Sequence, residues 1–177
     1  TSLSRKLEAQ GLEQITFLAK GKRGMIYTAL LDKNKLIKTH FPSKKNLIKA
    51  AIKVKRADSK AENSIQNEVY WLKIVNQRGI GPKLLFYKEE TSSEKESNLE
   101  KVSSPVEDSN PENYLAYEFV DGTFILDYIR ANNKAQISSI LKSVLEQCYL
   151  LDQLGVNKEE MHHPVKHIIV SKNKPYL

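Results

Sequence analysis

Over the first 120 residues the apolar positions fall into short runs, each bounded by glycine or by polar stretches. "MIYTALL" (25–31), "AAIKVKR" (50–56), "KLLFY" (83–87) and "NYLAYEFV" (113–120) are rich in β-branched and aromatic residues. Their length and composition predict strands. Between the second and third of these runs the period changes. Ile65, Val69, Leu72 and Val75 form the stripe of a helix from about Lys60 to Gln77. Beyond residue 120 the helical period takes over. Ile137, Ile140, Leu141, Val144, Leu145, Cys148 and Leu151 or Asp152 follow the i, i+3, i+4 rule and predict one amphipathic helix of about 17 residues. "KHIIV" and "KPYL" then read as a short hairpin joined by "SKN". A β-rich first part and a helical second part predict an α+β chain of two lobes, residues 1–117 and 118–177.

Two charged residues break this pattern. In "AAIKVKR" the strand alternation puts Ile52 and Val54 on one face and Ala51 and Lys53 on the other. Lysines of this kind often do no more than mark a solvated edge strand. Glu68, however, falls inside the apolar arc of the following helix, three residues after Ile65 and four before Leu72. A carboxylate there loses hydration unless it is paired or reaches the edge of the stripe. Lys53, on the strand just before, is the cation that the pattern offers.

A third feature is "LAKGKRGMIYTA" (18–29), which sets Gly21 and Gly24 in a turn between two strands. Glycines at such a turn let backbone N–H groups approach an anion with no Cβ in the way, and Lys22 and Arg23 add positive charge. An ordinary solvated hairpin turn uses the same residues.

The order of these pieces resembles the nucleotide-binding lobe of the eukaryotic-type protein kinase superfamily, most closely the small atypical and archaeal-type predicted serine/threonine kinases. "LAKGKRGMIYTA", "AAIK", a helix carrying Glu68, "GIGPKLLFY" and "LAYEFVDG" follow one another as in that family, with two long insertions. The resemblance implies a protein-kinase-like fold with ATP in the cleft between the lobes and transfer of its γ-phosphoryl group to a protein Ser or Thr, with Mg²⁺ as cofactor. It implies that Lys53 holds the α/β-phosphates and that Glu68 orients it. Gly21 and Gly24 match the second and third glycines of the phosphate loop, and Ala19 stands where the first would be. Ile26 matches the apolar residue above adenine, and Ala51 the small residue of the strand that carries the lysine. Tyr117 takes the gatekeeper position. The Glu118 carbonyl and the Val120 amide would meet the adenine edge, and Asp121-Gly122 leads out of the hinge.

"EEMHHPVKHIIV" (159–170) occupies the catalytic-loop position and departs from the family. His162 stands where the family has its catalytic Asp and His167 where it has a metal-binding Asn, leaving Glu160 as the candidate acid and no Mg²⁺ ligand identified. His162, His163 and His167 lack the regular ligand spacing of a zinc site, and Lys166 suits either phosphate charge or solvent. In the family, the Asp-Phe-Gly segment with its metal Asp would begin just after Leu177. The opening Thr1 points to a processed or cut start.

Charge and composition add two alternatives. The chain is 177 residues with a net charge of +7, but residues 88–113 carry three lysines and eight acids, which leaves +12 on the remainder. That acidic segment reads as a solvated, disordered insertion. The 32–49 stretch holds six lysines against one aspartate, which raises a basic, nucleic-acid-associated protein as an alternative, although no nucleic-acid-binding motif accompanies it. The substituted catalytic loop raises the other, a pseudokinase that binds nucleotide or scaffolds a protein partner without catalysis. No apolar run approaches the ~20 residues of a membrane span. A single cysteine, Cys148, on the apolar stripe suits core packing and an intracellular, reducing compartment such as the cytoplasm.

Overall fold

The computed structural model describes residues 2–21, 24–36, 46–56, 64–89, 113–156 and 164–177. They form a mixed α/β structure of two units. The first comprises residues 1–69 and 84–119; the second, 70–83 and 120–177.

The first unit is built on five antiparallel strands: β1 (Leu12–Lys20), β2 (Gly24–Asp32), β3 (Leu47–Lys55), β4 (Leu84–Glu89) and β5 (Asn113–Glu118). Their order in the sheet is β1-β2-β3-β5-β4. The strand with Lys53 is therefore central, not an edge, so solvation at an edge does not explain its lysine.

Pairing register sorts the side chains onto two faces. Ile52 lies opposite Tyr27 and Ala116, and Val54 opposite Met25 and Tyr114. Ile52, Val54, Tyr114 and Ala116 make a buried core with Leu12, Ala29, Leu31 and Ala50, closed by Leu7 of a helix α1 (Ser2–Ala9), and Tyr27 packs against it. Leu7 and Ile52 are fully buried. Helix α1 was not expected. Eight residues cannot hold a helix alone in water, so its signal lies in where Leu7 packs rather than in local propensity.

The lysine-rich insertion is shorter than the 32–49 stretch suggests. β2 runs on to Asp32, a four-residue helix α2 (Lys33–Leu36) follows, and β3 begins at Leu47. Buried Asp32 closes its base: Oδ1 accepts from the backbone amides of Asn34 at 3.0 Å and Asn46 at 3.2 Å.

Helix α3 (Ser64–Asn76) contributes residues to both units. In the second unit a short strand β6 (Thr123–Phe124) leads into α4 (Ile125–Ala131), a helix the periodicity did not anticipate, and then α5 (Lys134–Gln153). Asn133 caps α5 in a reciprocal capping box with Gln136. A 3₁₀ turn (Pro164–Lys166) precedes the hairpin β7 (Ile169–Ser171) and β8 (Lys174–Tyr176). Lys172 and Asn173 both take positive φ, as a two-residue hairpin turn requires.

Ile125, Tyr128, Ile140, Val144, Ile168 and Val170 form the core of this unit, with Cys148 partly buried against them. The predicted stripe of α5 is corrected here. Ile140, Val144, Gln147 and Leu151 are buried, whereas Leu141 and Leu145 are 42% and 70% exposed. Among the described residues no helix is long and apolar enough to cross a membrane.

Candidate functional site

The face of the sheet opposite the first core carries the residues of interest. Register aligns Ala19, Ile26, Lys53 and Leu115 in one row across β1, β2, β3 and β5. The neighbouring row holds Thr28, Ala51 and Tyr117. Ala51 and Leu115 are buried, Lys53 and Ile26 half-buried, and Ala19 exposed. One face therefore gathers five of the residues singled out from the sequence. Glu118, paired with Ala50, lies on the opposite face and is exposed. Val120 belongs to the second unit.

Lys53 Nζ donates to Glu68 Oε2 at 2.5 Å. Helix α3 thus brings its one acid to the middle of the sheet face, where the two side chains stay 26% and 30% exposed. The pair is wet enough for a ligand to reach and dry enough for charge to matter. An ammonium has three donors, so a carboxylate that takes one fixes the side chain and leaves others for an oxyanion.

Tyr117 sits beside this pair. Burial pushes its hydroxyl well above the ordinary tyrosine range, and the negative charge of Glu68 pushes the same way. It stays protonated at all physiological pH, a neutral wall next to the ion pair. The chain after β5 is tied back to β3: Phe119 N donates to Lys49 O at 3.0 Å, and Lys49 Nζ stands 4.0 Å over the Phe119 ring.

The glycine turn closes with Gly21 N donating to Gly24 O at 2.8 Å. Gly24 is required for a reason the sequence did not give. A Cβ there would lie 2.9 Å from the Val54 carbonyl oxygen and 3.3 Å from both Cγ and Cε of Lys53. The missing side chain makes room for the lysine stem, so turn and lysine are packed as one piece. Arg56 Nη1 donates to Gly21 O at 3.1 Å, a contact that sequence reasoning missed. Its signal lies only in the register Gly24↔Lys55, which sets the end of β3 beside the turn.

Lys22, Arg23, Glu160, His162 and His163 lie outside the described residues. Lys166 is exposed in the 3₁₀ turn and His167 is half-buried just after it. Among the described residues no three of His, Cys, Asp and Glu converge on a possible metal position. The carboxylate nearest the lysine, Glu68, is already engaged by an ammonium. No set of Mg²⁺ ligands is identified among the described residues. The oriented ammonium beside the glycine turn, on a face with small and apolar side chains, could hold an oxyanion such as a phosphate.

No protein-family model matches the chain, and a search of curated proteins likewise finds no match. Among solved structures, the chain is similar to one titled "PpkA-294 apo form", a kinase-like fold, with a TM-score of 0.54 and 14% sequence identity. The match covers 91% of this chain and 55% of that one, so the chain spans about half the length of its structural neighbour. Likeness at this identity concerns the fold alone: a mixed α/β structure whose five-stranded antiparallel sheet is consistent with a kinase-like N-terminal lobe.

Proposed function

We propose that the chain is a protein-kinase-like domain that binds ATP on the Lys53 face of the five-stranded sheet and passes its γ-phosphoryl group to a protein Ser or Thr. The observation that carries this reading is the Lys53–Glu68 pair, formed between the central strand and α3 at 2.5 Å beside a glycine turn. Glu68 holds the ammonium in place, and the ammonium meets the α- and β-phosphates. Gly21 and Gly24 admit the polyphosphate beneath the turn. Ile26 and Ala51 provide apolar contact for the base, and the backbone of Glu118 a hydrogen bond. Glu160 is the candidate carboxylate for the transfer step, where it would accept the proton of the attacking Ser or Thr hydroxyl. Mg²⁺ would neutralise phosphate charge when bound.

The test separates phosphate from base. Lys53→Met keeps a stem of similar length and removes the charge. ATP should bind about ten- to a hundredfold more weakly, the loss of one charge-assisted contact. Adenosine, which lacks phosphates, should bind both proteins alike. A thermal melt checks that the stranded Glu68 has not unfolded the variant. Equal ATP affinity in folded wild type and variant would remove Lys53 from the phosphate site.

A second reading is favoured by a specific observation. The family's metal-binding Asn position holds His167, and imidazole is a poor Mg²⁺ ligand. A pseudokinase that binds nucleotide without transfer would show the Lys53 dependence above and no phosphoryl transfer to protein.

A further inference from the structure

We infer that Arg56 is a positioning residue that braces the glycine turn from the side away from the ligand; this deepens the nucleotide-binding reading and rests on it. Three observations meet here. Gly21 ends β1's side of the turn, Arg56 directly follows β3, and β2 lies between those strands. Neighbouring strands are about 4.8 Å apart, so a contact from β3 to the β1 side must cross roughly 10 Å. An extended arginine covers most of that and its hydrogen bond the rest, with Nη1 reaching Gly21 O at 3.1 Å.

The alternation along β3 sets which side it acts from. Lys53 shares the ligand face with Ile26, while Val54 belongs to the opposite core. Carried two residues beyond Val54, the alternation places Arg56 on Val54's side. Arg56 then does not compete with Lys53 for an anion. It fixes the carbonyl of Gly21, whose own amide bonds to Gly24 O, the residue packed against the Lys53 stem. The brace, the turn and the lysine form one chain of contacts. Glycine gives up more backbone freedom on ordering than any other residue, so fixing Gly21 and Gly24 on binding costs affinity. Tying its first carbonyl to β3 lowers that cost before the nucleotide arrives.

The test uses the full chain, Arg56→Met and Arg56→Lys, with ATP and adenosine titrated in parallel by calorimetry. Arg56→Met should bind ATP roughly three- to tenfold more weakly, the worth of one ordinary hydrogen bond, and adenosine within about twofold of wild type. Arg56→Lys keeps the charge but ends short of Gly21 O, so it should weaken ATP about as Arg56→Met does. In the nucleotide-free protein, hydrogen exchange of the Gly21–Gly24 peptide should speed up several-fold in Arg56→Met. Unchanged exchange overturns the brace, and so does full ATP affinity in Arg56→Lys, which would show that the charge and not the contact is what counts. Parallel loss of ATP and adenosine with a lowered melting temperature overturns it too, by showing a general structural role. Wild type that binds no ATP sinks the nucleotide reading itself, and the inference with it. Wild type that binds ATP alongside an Arg56→Met equal to it sinks the inference alone.

Discussion

At the scale of single residues, Gly24 and Tyr117 lead to separate expectations. Gly24→Ala brings a methyl to 2.9 Å from a backbone oxygen, which cannot swing aside as a side chain could. The strands must part or the turn must tilt. Overpacking of this kind costs about 1–3 kcal/mol, and the melting temperature should fall accordingly. ATP affinity should fall with it, because the displaced atoms include the stem of Lys53, whereas Gly21→Ala, with only an ordinary 3.4 Å contact, should be milder. Tyr117 gives a pH dependence. Its hydroxyl is held above the free value of 10.0 by burial first and by Glu68 second. Below about pH 10 the folded and unfolded chains are both protonated there, and the residue adds no slope. Above it the unfolded chain ionises first, so stability is lost as pH rises. Melting temperature measured from about pH 8 to 11 should therefore drop less steeply in Tyr117→Phe than in wild type. A residual slope is expected from Tyr114, which burial raises in the same direction. The Lys53–Glu68 contact was legible in the sequence because both residues broke a periodicity. Gly24's packing and Arg56's reach were not, since each depends on strand register rather than on local pattern.

Elements were legible where the period was strong and the packing partner local. The order of strands, glycine turn and α3 follows from runs and stripes alone. Helix α5 shows where that logic stops. Ile140, Leu141, Val144 and Leu145 all obey the helical spacing, yet the unit buries only Ile140 and Val144 of the four. A helical period defines an arc, and which edge of that arc faces the core is set by α4 and the β7–β8 hairpin. Gln147 illustrates this: it is buried inside the apolar arc because its Nε2 donates to Pro175 O at 2.9 Å, anchoring β8. The distinction is measurable by chemical denaturation. Ile140→Ala, at 2% exposure, should cost about 2–5 kcal/mol. Leu145→Ser, at 70% exposure, should stay within about 0.5 kcal/mol of wild type. Equal losses at both positions would restore the broad stripe. Helices α1 and α4 escaped notice for the opposite reason, being too short for a period to establish itself.

For the whole molecule, the unequal spread of charge bears on function and on how much of the chain the fold needs. Residues 90–112 carry seven acids and two lysines, a net of −5 in a chain of +7. Register partners Glu89 and Asn113 stand directly opposite each other at the ends of β4 and β5. Because the strands are already adjacent and antiparallel there, a two-residue Asn-Gly turn has the geometry to join them. Shortening the connection also lowers its closure entropy slightly, by about 0.6 kcal/mol per halving of length. Replacing 90–112 with Asn-Gly should therefore leave the melting temperature unchanged or a little higher. A cooperative melt lost in this variant would show that the segment packs as part of the fold. The same variant separates two functional readings, since it raises the net charge to +12. Binding of a polyanion such as duplex DNA should strengthen and become steeply salt-dependent if the basic surface is the functional one. ATP held by Lys53 and the glycine turn should bind the shortened and full-length chains alike. Titrating both ligands at low and high salt decides between them: a change confined to DNA leaves the Lys53 face as the nucleotide site, and parallel changes in both ligands would mean that ATP is held by diffuse surface charge.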